Sequence, residues 1–357
     1  MNESGVSDHG ALAELHPNSD PRWDQFVCGH PAGTVYHQSA WTQVLSETYG
    51  HPPLYLGLLS SDGRHLAGVL PFVFIDSLLT GRRLVSLPFT SYCNPLMPDT
   101  RLEEAMRYAL GRFRGVEYVE LKLLSTPGDD GDNARCGEER PFVSQILPLS
   151  GSIHELFRSL HDTSIRQRVR RAERDGLTFR LAGGELELRR FYQLLVEVRR
   201  GEGLPSPPYA FFANMQRLLS PGNLFELAVV ESNGRIIAAA VVLKGRSTWH
   251  LEYSASDARF LKHGANQLLI WECIKRAHQE KATHFDFGRT SLWHRSLLEF
   301  KERWHAERHP IRYRYFPDTI KPPQWHDISN SFLIRLNKKL PAAFLQLEGR
   351  IIYPHRG

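Results

Sequence analysis

Residues 54–75 read LYLGLLSSDGRHLAGVLPFVFI, and residues 225–243 read FELAVVESNGRIIAAAVVL. Each stretch is an apolar strand, a two-residue turn and a second apolar strand. The turns are Asp62-Gly63 and Asn233-Gly234. Such dipeptides tolerate positive φ and favour tight type I′ hairpins. An arginine follows each turn, at Arg64 and Arg235. Pattern, turn chemistry and spacing agree, which points to an internal duplication.

The flanking residues extend the echo. After the second hairpin, 248–254 (TWHLEYS) reads as a strand, and a helix is expected at about 265–281. There Ile270, Cys273, Ile274 and Ala277 fall at i, i+3, i+4 and i+7 and make an apolar face. A strand at 283–287 (THFDF) closes the unit. After the first hairpin, RLVSLPF (83–89) leads to a helix near 100–114 and a strand at about 116–123. Each half is therefore hairpin, strand, helix, strand. This is an α/β (α+β) arrangement in which each half is a mixed sheet flanked by helices.

Residues 125–141 are rich in Gly, Asp and charge and lack periodicity, which marks a boundary. The expected layout is a disordered polar lead over 1–20, an N-terminal domain over 21–141, a C-terminal domain over 142–318 and a basic amphipathic tail over 319–357. A strand near 142–149, helices near 152–161, 164–175 and 185–200, and a Pro/Gly loop at 201–210 complete the reading. That loop suits a substrate-facing lid or a plain connector.

The 357 residues, 41% hydrophobic and 23% charged, provide for two cores. No run of about 18 apolar residues and no basic-then-apolar opening is present, so a cytoplasmic location is expected. Cys28, Cys93, Cys136 and Cys273 show no C-x-x-C spacing. Reduced thiols are expected rather than a zinc site or disulfides. The formal charge of +5 suits anionic partners such as CoA, nucleotide sugars, RNA or membrane lipid.

Hairpin, strand, loop, helix, strand is an order that resembles the core of the GNAT acyltransferases. The likeness to the FemAB-related, BioF2-like branch is closer. It rests on YHQSAWTQVLSETYGHPPLYL, GVLPF and RRLVSLPFTSYCNPL in the first half, and on IRQRVRRAERDGL, NQLLIWECIKRAH, FDFGRTS and FKERW in the second. These segments resemble the exosortase-associated FemAB-like proteins found with exopolysaccharide genes, over about residues 20–318. The resemblance implies two tandem GNAT-like domains with a cleft between them. It also implies transfer of an acyl or aminoacyl group to an amine.

Amide formation needs a neutral amine, a polarised carbonyl and donors placed in advance for the oxyanion. In GNAT folds these donors are mainly backbone amides on a splayed central strand, which a sequence cannot display. An acyl-CoA donor also needs a pyrophosphate cradle at a helix N-terminus. The candidate cradle is Arg259-Phe260-Leu261-Lys262-His263-Gly264-Ala265-Asn266. Within it Arg259, Lys262, Gly264, Ala265 and Asn266 are the donor-binding candidates. The usual GNAT spacing is Arg or Gln, two residues, Gly, one residue, then Gly or Ala. Only Gly264-Ala265 keep it, and a plain basic lead-in to the helix is the competing reading.

Asp286 interrupts an apolar strand, with Phe285 and Phe287 on one side and His284, Asp286 and Gly288 on the other. A buried carboxylate needs a partner, and Arg289 is the candidate. Asp286 then either binds or deprotonates the amine in the cleft or makes a structural ion pair. Phe300-Lys301 in EFKERW resembles a Phe-Lys pair of Fem-type peptidyltransferases, which implies that Lys301 offsets oxyanion charge. Against this, Leu297, Phe300 and Trp304 are spaced as a helix face, which would leave Lys301 on the surface. Tyr253, beside Glu252 and near His250, could contact acceptor or leaving thiolate, or simply pack. Tyr92 and Asn94 are candidates for the acceptor cleft, with a turn at Asn94-Pro95 as the simpler reading.

Arg166, Arg168, Arg170, Arg171 and Arg174 could bind a phosphate-rich partner or form a solvated helix face. In the tail, Phe332, Leu333, Leu336 and Leu340 suggest a basic amphipathic helix interrupted at Pro341. It could dock on the protein's own core or touch the inner membrane surface peripherally.

The leading expectation is an N-acyltransferase that uses acyl-CoA (acetyl-CoA) as co-substrate and no metal. Its acceptor would be a small-molecule or lipid-linked amine of a cell-envelope or exopolysaccharide precursor. The alternatives are an aminoacyl-tRNA-dependent Fem-type peptidyltransferase acting on a peptidoglycan precursor, and a non-catalytic scaffold. A tRNA partner belongs only to the first alternative, against which stands the absence of a long helical-arm insertion from the second half of this sequence.

Overall fold

The computed structural model describes residues 9–77, 81–125, 142–320 and 331–355. Its strands are β1 (His9–Leu15), β2 (Pro53–Ser60), β3 (Leu66–Ser77), β4 (Gly81–Val85), β5 (Tyr118–Leu124) and β6 (Phe142–Pro148). They continue as β7 (Thr178–Ala182), β8 (Phe225–Ser232), β9 (Arg235–Lys244), β10 (Thr248–Ser256), β11 (His284–Ser291) and β12 (Glu307–Phe316). All join one 12-stranded mixed sheet in the order β1-β2-β3-β4-β5-β12-β6-β11-β10-β9-β8-β7.

The duplication is visible in the topology. β2-β3-β4 and β8-β9-β10 are antiparallel meanders. Each is followed by a crossover helix, Asp99–Arg112 or Ala265–Gln279, and then by a parallel strand, β5 or β11. A parallel pair requires such a crossover, and a helix provides it. The halves meet through β12, which pairs with β5 over Ile311–Phe316 and with β6 over Glu307–Pro310.

The second hairpin turns as expected, with Asn233 and Gly234 both at positive φ, 50° and 72°. The first does not. β2 ends at Ser60 and β3 begins at Leu66, so Asp62-Gly63 lies inside a longer loop. The Asp62 carboxylate accepts from the Ser60 hydroxyl and the Arg64 amide, which holds that loop instead of a two-residue turn. The expected disordered lead also needs correction. Residues 9–15 form β1, paired with β2, because Leu15 buries against Trp23 and Val69. Residues 1–8 lie outside the described residues, as does Cys136.

Alternation along the second hairpin fills two cores. Ala228, Val230, Ala238, Ala240 and Val242 face the Ala265–Gln279 helix. Leu227, Val229, Ala239, Val241 and Leu243 face the other way, onto Phe191, Phe211 and Phe212. This second core also takes Val35, Tyr36, Trp41, Val44 and Leu45 from the first half. One face of the C-terminal half is therefore covered by the N-terminal half, and that contact builds the site.

The tail folds back. In its Ala342–Ile352 helix Leu345 is fully buried, and a Cβ on Gly349 would collide with the Ser206 carbonyl oxygen. Tyr353 stacks on Phe89 at 5.7 Å. The Ala342–Ile352 helix thus docks on the protein core, while Leu336 of the expected apolar face is 43% exposed and the side chains of Phe332 and Leu333 lie outside the described residues. Residues 321–330 lie outside the described residues.

Candidate active site at the splayed strands

β10 and β11 are paired only over Thr248–His250 and His284–Asp286. Beyond that point no pairing holds them, and the sheet opens between β10 running to Ser256 and β11 running to Ser291. Two irregularities decide what faces the opening. On β10 the register with β9 shifts between Leu251 and Tyr253, leaving Glu252 as the extra residue. Trp249 and Leu251 belong to one core, whereas Tyr253 and Ala255 belong to the other. The bulge thus reverses the phase of the strand. On β11 the register with β6 shifts between Asp286 and Arg289, at Gly288, whose φ is 74°. Glycine adopts this left-handed conformation without a side-chain clash.

Asp286 lies under the opening, with 0% exposure, and not on the cleft surface. Its Oδ1 accepts from the Ser144 hydroxyl at 2.8 Å and from the Gly288 amide at 2.7 Å. Its Oδ2 lies 3.3 Å from Nδ1 of His250. Burial alone would raise its pKa, but His250, Ser144 and the Gly288 amide outweigh it and hold the carboxyl below its ordinary value. A carboxylate so stabilised is a poor proton acceptor. It faces His250, which is 2% exposed and neither of whose ring nitrogens has a hydrogen-bond partner among the described residues, so the 3.3 Å approach is an ion-pair contact.

Arg289 is not the partner of Asp286. The bulge turns it towards β12, where its guanidinium donates to the Tyr313 hydroxyl at 2.8 Å and covers the Phe142 ring at 4.6 Å. Its backbone amide donates to the Ser91 hydroxyl at 3.1 Å.

The first half completes the site. The Tyr36 hydroxyl donates to Oε2 of Glu252 at 2.6 Å, and its ring lies 4.8 Å from that of His250. Burial lifts Glu252 to about 7, although the Tyr36 hydroxyl and the charge of His250 pull the other way. Glu252 is half-buried. Tyr92 is buried with its ring 6.2 Å from His250, and Asp286 is among the groups that raise its pKa.

Lys301 sits on the Arg295–Glu302 helix and is 6% exposed, so the surface reading fails for it. Its Nζ donates to the Gly288 carbonyl and to the Thr290 hydroxyl, each at 2.8 Å. Burial lowers the ammonium to about 8, against the Asp286 charge, which raises it. The helix is pinned to β6 by Gln145 Nε2 donating to the Leu298 carbonyl at 3.0 Å. Lys301 therefore holds the carbonyl side of Gly288, the residue whose amide serves Asp286.

The remaining candidates do not converge on this point. Tyr253 packs edge-on against Phe212 at 5.0 Å. Phe300 packs partly buried against the core around Trp304. Both polar atoms of the Asn94 side chain are committed to the Leu124 backbone, at 2.7 and 3.0 Å, so Asn94 closes the end of β5 and offers nothing to an acceptor. Arg259 is clamped by the buried Asp257, with Nε and Nη2 at 2.9 and 2.6 Å from its two carboxylate oxygens.

At the candidate cradle, Gly264 has φ 78° and starts the Ala265–Gln279 helix without a side-chain cap. The first-turn amides of such a helix are free of side-chain competition for an anion. Lys262 is exposed beside it, Asn266 is half-buried and Ala265 is buried. A Cβ on Gly264 would collide with the Arg168 carbonyl, so the Arg-rich helix Gln167–Arg174 packs directly on this turn. In that stretch Arg166 pairs with Asp162, Arg168 donates to the Leu261 carbonyl and Arg171 pairs with Asp175.

Two surface hollows, one lined by His16, Gln43 and Tyr55 and the other by Cys28, Lys244 and Glu280, contain none of the residues at the opening. Among the described residues no group of three or more His, Cys, Asp or Glu side chains is placed to hold a metal ion.

Residues 159–302 match the family described as acetyltransferase (GNAT) domain. No curated protein sequence matches the chain. The structure is similar to the crystal structure of FemX, with a TM-score of 0.69 at 15% identity, over 85% of this chain and 96% of that one. It is also similar to a tandem GNAT protein from the clavulanic acid biosynthesis pathway, with a TM-score of 0.50 at 11% identity, over 85% of this chain and 98% of that one. A conserved protein of unknown function from Bacteroides thetaiotaomicron gives 0.55 at 9% identity, over 85% and 97% of the two chains. At these identities the likeness concerns the fold.

Proposed function

We propose that this chain is an N-acyltransferase that moves an acyl group from acyl-CoA to a primary amine of a cell-envelope or exopolysaccharide precursor. The observation that carries the reading is Glu252. It is a bulged carboxylate at the mouth of the splayed strands, raised to about 7 and in hydrogen-bond contact with Tyr36. A base with a pKa near the working pH is what an ammonium acceptor needs before it can attack.

In this reading the neutral amine attacks the thioester carbonyl. Glu252 takes one proton from the ammonium and passes it to solvent, the C–N bond forms, Glu252 takes the second nitrogen proton from the adduct, the C–S bond breaks, and the thiolate leaves to be protonated by solvent. Asp286 and Lys301 act from below as positioning residues, one on His250 and the other on Gly288. The Gly264 turn and Lys262 receive the donor phosphates.

Transfer from aminoacyl-tRNA is the second reading. Its support is the higher TM-score to FemX than to the tandem GNAT protein, 0.69 against 0.50, and the Lys301 position in a Phe-Lys segment.

The test measures thermal midpoints with acetyl-CoA and longer acyl-CoAs, then thiol release in the presence of amino-sugar acceptors. A ligand bound only by the native state at about 100 times its dissociation constant adds roughly 2.7 kcal/mol of stability. A concentration-dependent shift together with thiol release lost in Glu252→Gln is the expected result. No shift with any acyl-CoA, alongside salt-sensitive tRNA binding, would replace the first reading by the second.

A further inference from the structure

The Ala342–Ile352 helix is apolar on both sides. Its inward side carries Leu345 and Gly349 against the protein. Its outward side carries Phe344, Leu347 and Ile351, which are 58%, 54% and 59% exposed. These three recur at i, i+3 and i+7, so they form one stripe. Leu336 extends it onto the preceding Ser331–Asn337 helix. A helix that only covered its own core would turn polar residues to water. A contiguous apolar stripe instead marks a surface that meets something else.

Charge identifies the partner. The stripe is bordered by exposed Arg335, Lys338, Lys339 and Arg350. The single acidic residue of 331–355 is Glu348, which is half-buried and accepts from Asn337 Nδ2 at 3.2 Å. Exposed apolar side chains and exposed cations on the same segment, with no exposed carboxylate within 331–355, match an anionic lipid surface. Among the described residues no helix is long and apolar enough to cross a membrane, so the contact is a surface one.

We propose that the outward face of the Ala342–Ile352 helix seats this protein on an anionic bilayer. Phe344, Leu347 and Ile351 enter the boundary between headgroups and acyl chains, and the four cations lie among the headgroups. The helix is tied to the body through Tyr353, which stacks on Phe89 and donates to the Pro205 carbonyl. Phe89 lies two residues before Ser91, which holds the Arg289 amide at the opening. Docking would therefore set the orientation of the candidate site relative to the lipid surface.

The test is flotation of the full-length chain with phosphatidylglycerol-rich vesicles and with pure phosphatidylcholine vesicles. The expected result is binding to the former, weakened by added salt. The triple variant Phe344→Gln, Leu347→Gln, Ile351→Gln and the separate variant Lys338→Glu, Lys339→Glu should each weaken it about tenfold or more. The second variant alters exposed residues outside the packed helix, so it decides the question if the first fails to fold. No binding to anionic vesicles, or binding unchanged in the charge variant, overturns the proposal. A vesicle-free dimer that the triple variant abolishes would assign the face to a second copy of the chain and also overturn it.

Discussion

Tyr36 and Glu252 lie 216 residues apart in sequence, yet share a 2.6 Å hydrogen bond across the junction of the two halves. The bond joins a short turn of the N-terminal half to the bulge of β10. It places a carboxylate where the strands part, and it makes that carboxylate's surroundings dependent on both halves being docked.

If Glu252 takes the amine proton, Glu252→Gln lowers kcat by about 10²- to 10⁴-fold while leaving acyl-CoA binding nearly unchanged. Steady-state kinetics paired with acyl-CoA thermal shifts separate the two effects. Equal loss of binding and turnover would indicate a structural role instead.

The pH profile follows from two groups. Turnover should rise through about 7 as Glu252 loses its proton, and fall above about 8 as Lys301 loses its charge. The Tyr36 hydroxyl stabilises the Glu252 anion, so Tyr36→Phe should move the acidic limb to higher pH. An unmoved limb would separate that limb from Glu252.

Lys301→Met leaves the Gly288 carbonyl and the Thr290 hydroxyl without their buried donor. Such a deletion costs about 1–3 kcal/mol of stability, read by chemical denaturation. Because the Gly288 amide supports Asp286, kcat should also fall, by about 10²-fold. A stability loss with normal kcat would restrict Lys301 to folding.

Gly264→Ala tests the helix entry. The position needs φ 78°, and the added Cβ would collide with the Arg168 carbonyl. A destabilisation of about 1–3 kcal/mol is expected, with a weaker response to acyl-CoA. Thermal midpoints with and without the ligand read both.

His37 and His51 are buried and each lowered to about 4, chiefly by burial. Folding favours their neutral forms, so their contribution is intact above about 6.5 and is lost as pH falls from 6.5 towards 4. Each proton taken up only on unfolding steepens the pH dependence by about 1.4 kcal/mol per pH unit. Denaturant titrations across that range should show the slope, and His37→Gln should reduce it.

The strands of both hairpin repeats, the Asn233-Gly234 turn of the second, the crossover helices and the Gly264 entry to the second helix were legible from periodicity and turn chemistry alone. So was the presence of an ionisable group in β11, because Asp286 breaks an apolar strand. Its partners were not. Alternation suggested Arg289, but the Gly288 bulge sends that side chain to Tyr313 and leaves Asp286 to His250 and Ser144. Tyr36 opens a segment that carries the family resemblance, but a single tyrosine in a short turn looks like any packed aromatic, so its bond to Glu252 was not legible.

What the sequence by itself determined is therefore local. Apolar periodicity and Asn-Gly chemistry set strands and helices, because those depend on neighbours a few residues away. Only the tertiary structure decided the site. The bulge at Glu252 depends on how β10 registers against β9, and the burial that sets Glu252 and Lys301 depends on surfaces brought together from both halves. The tail shows the same division: its amphipathic pattern was local, whereas its inward and outward faces were assigned only by the backbone of Ser206 closing over Gly349.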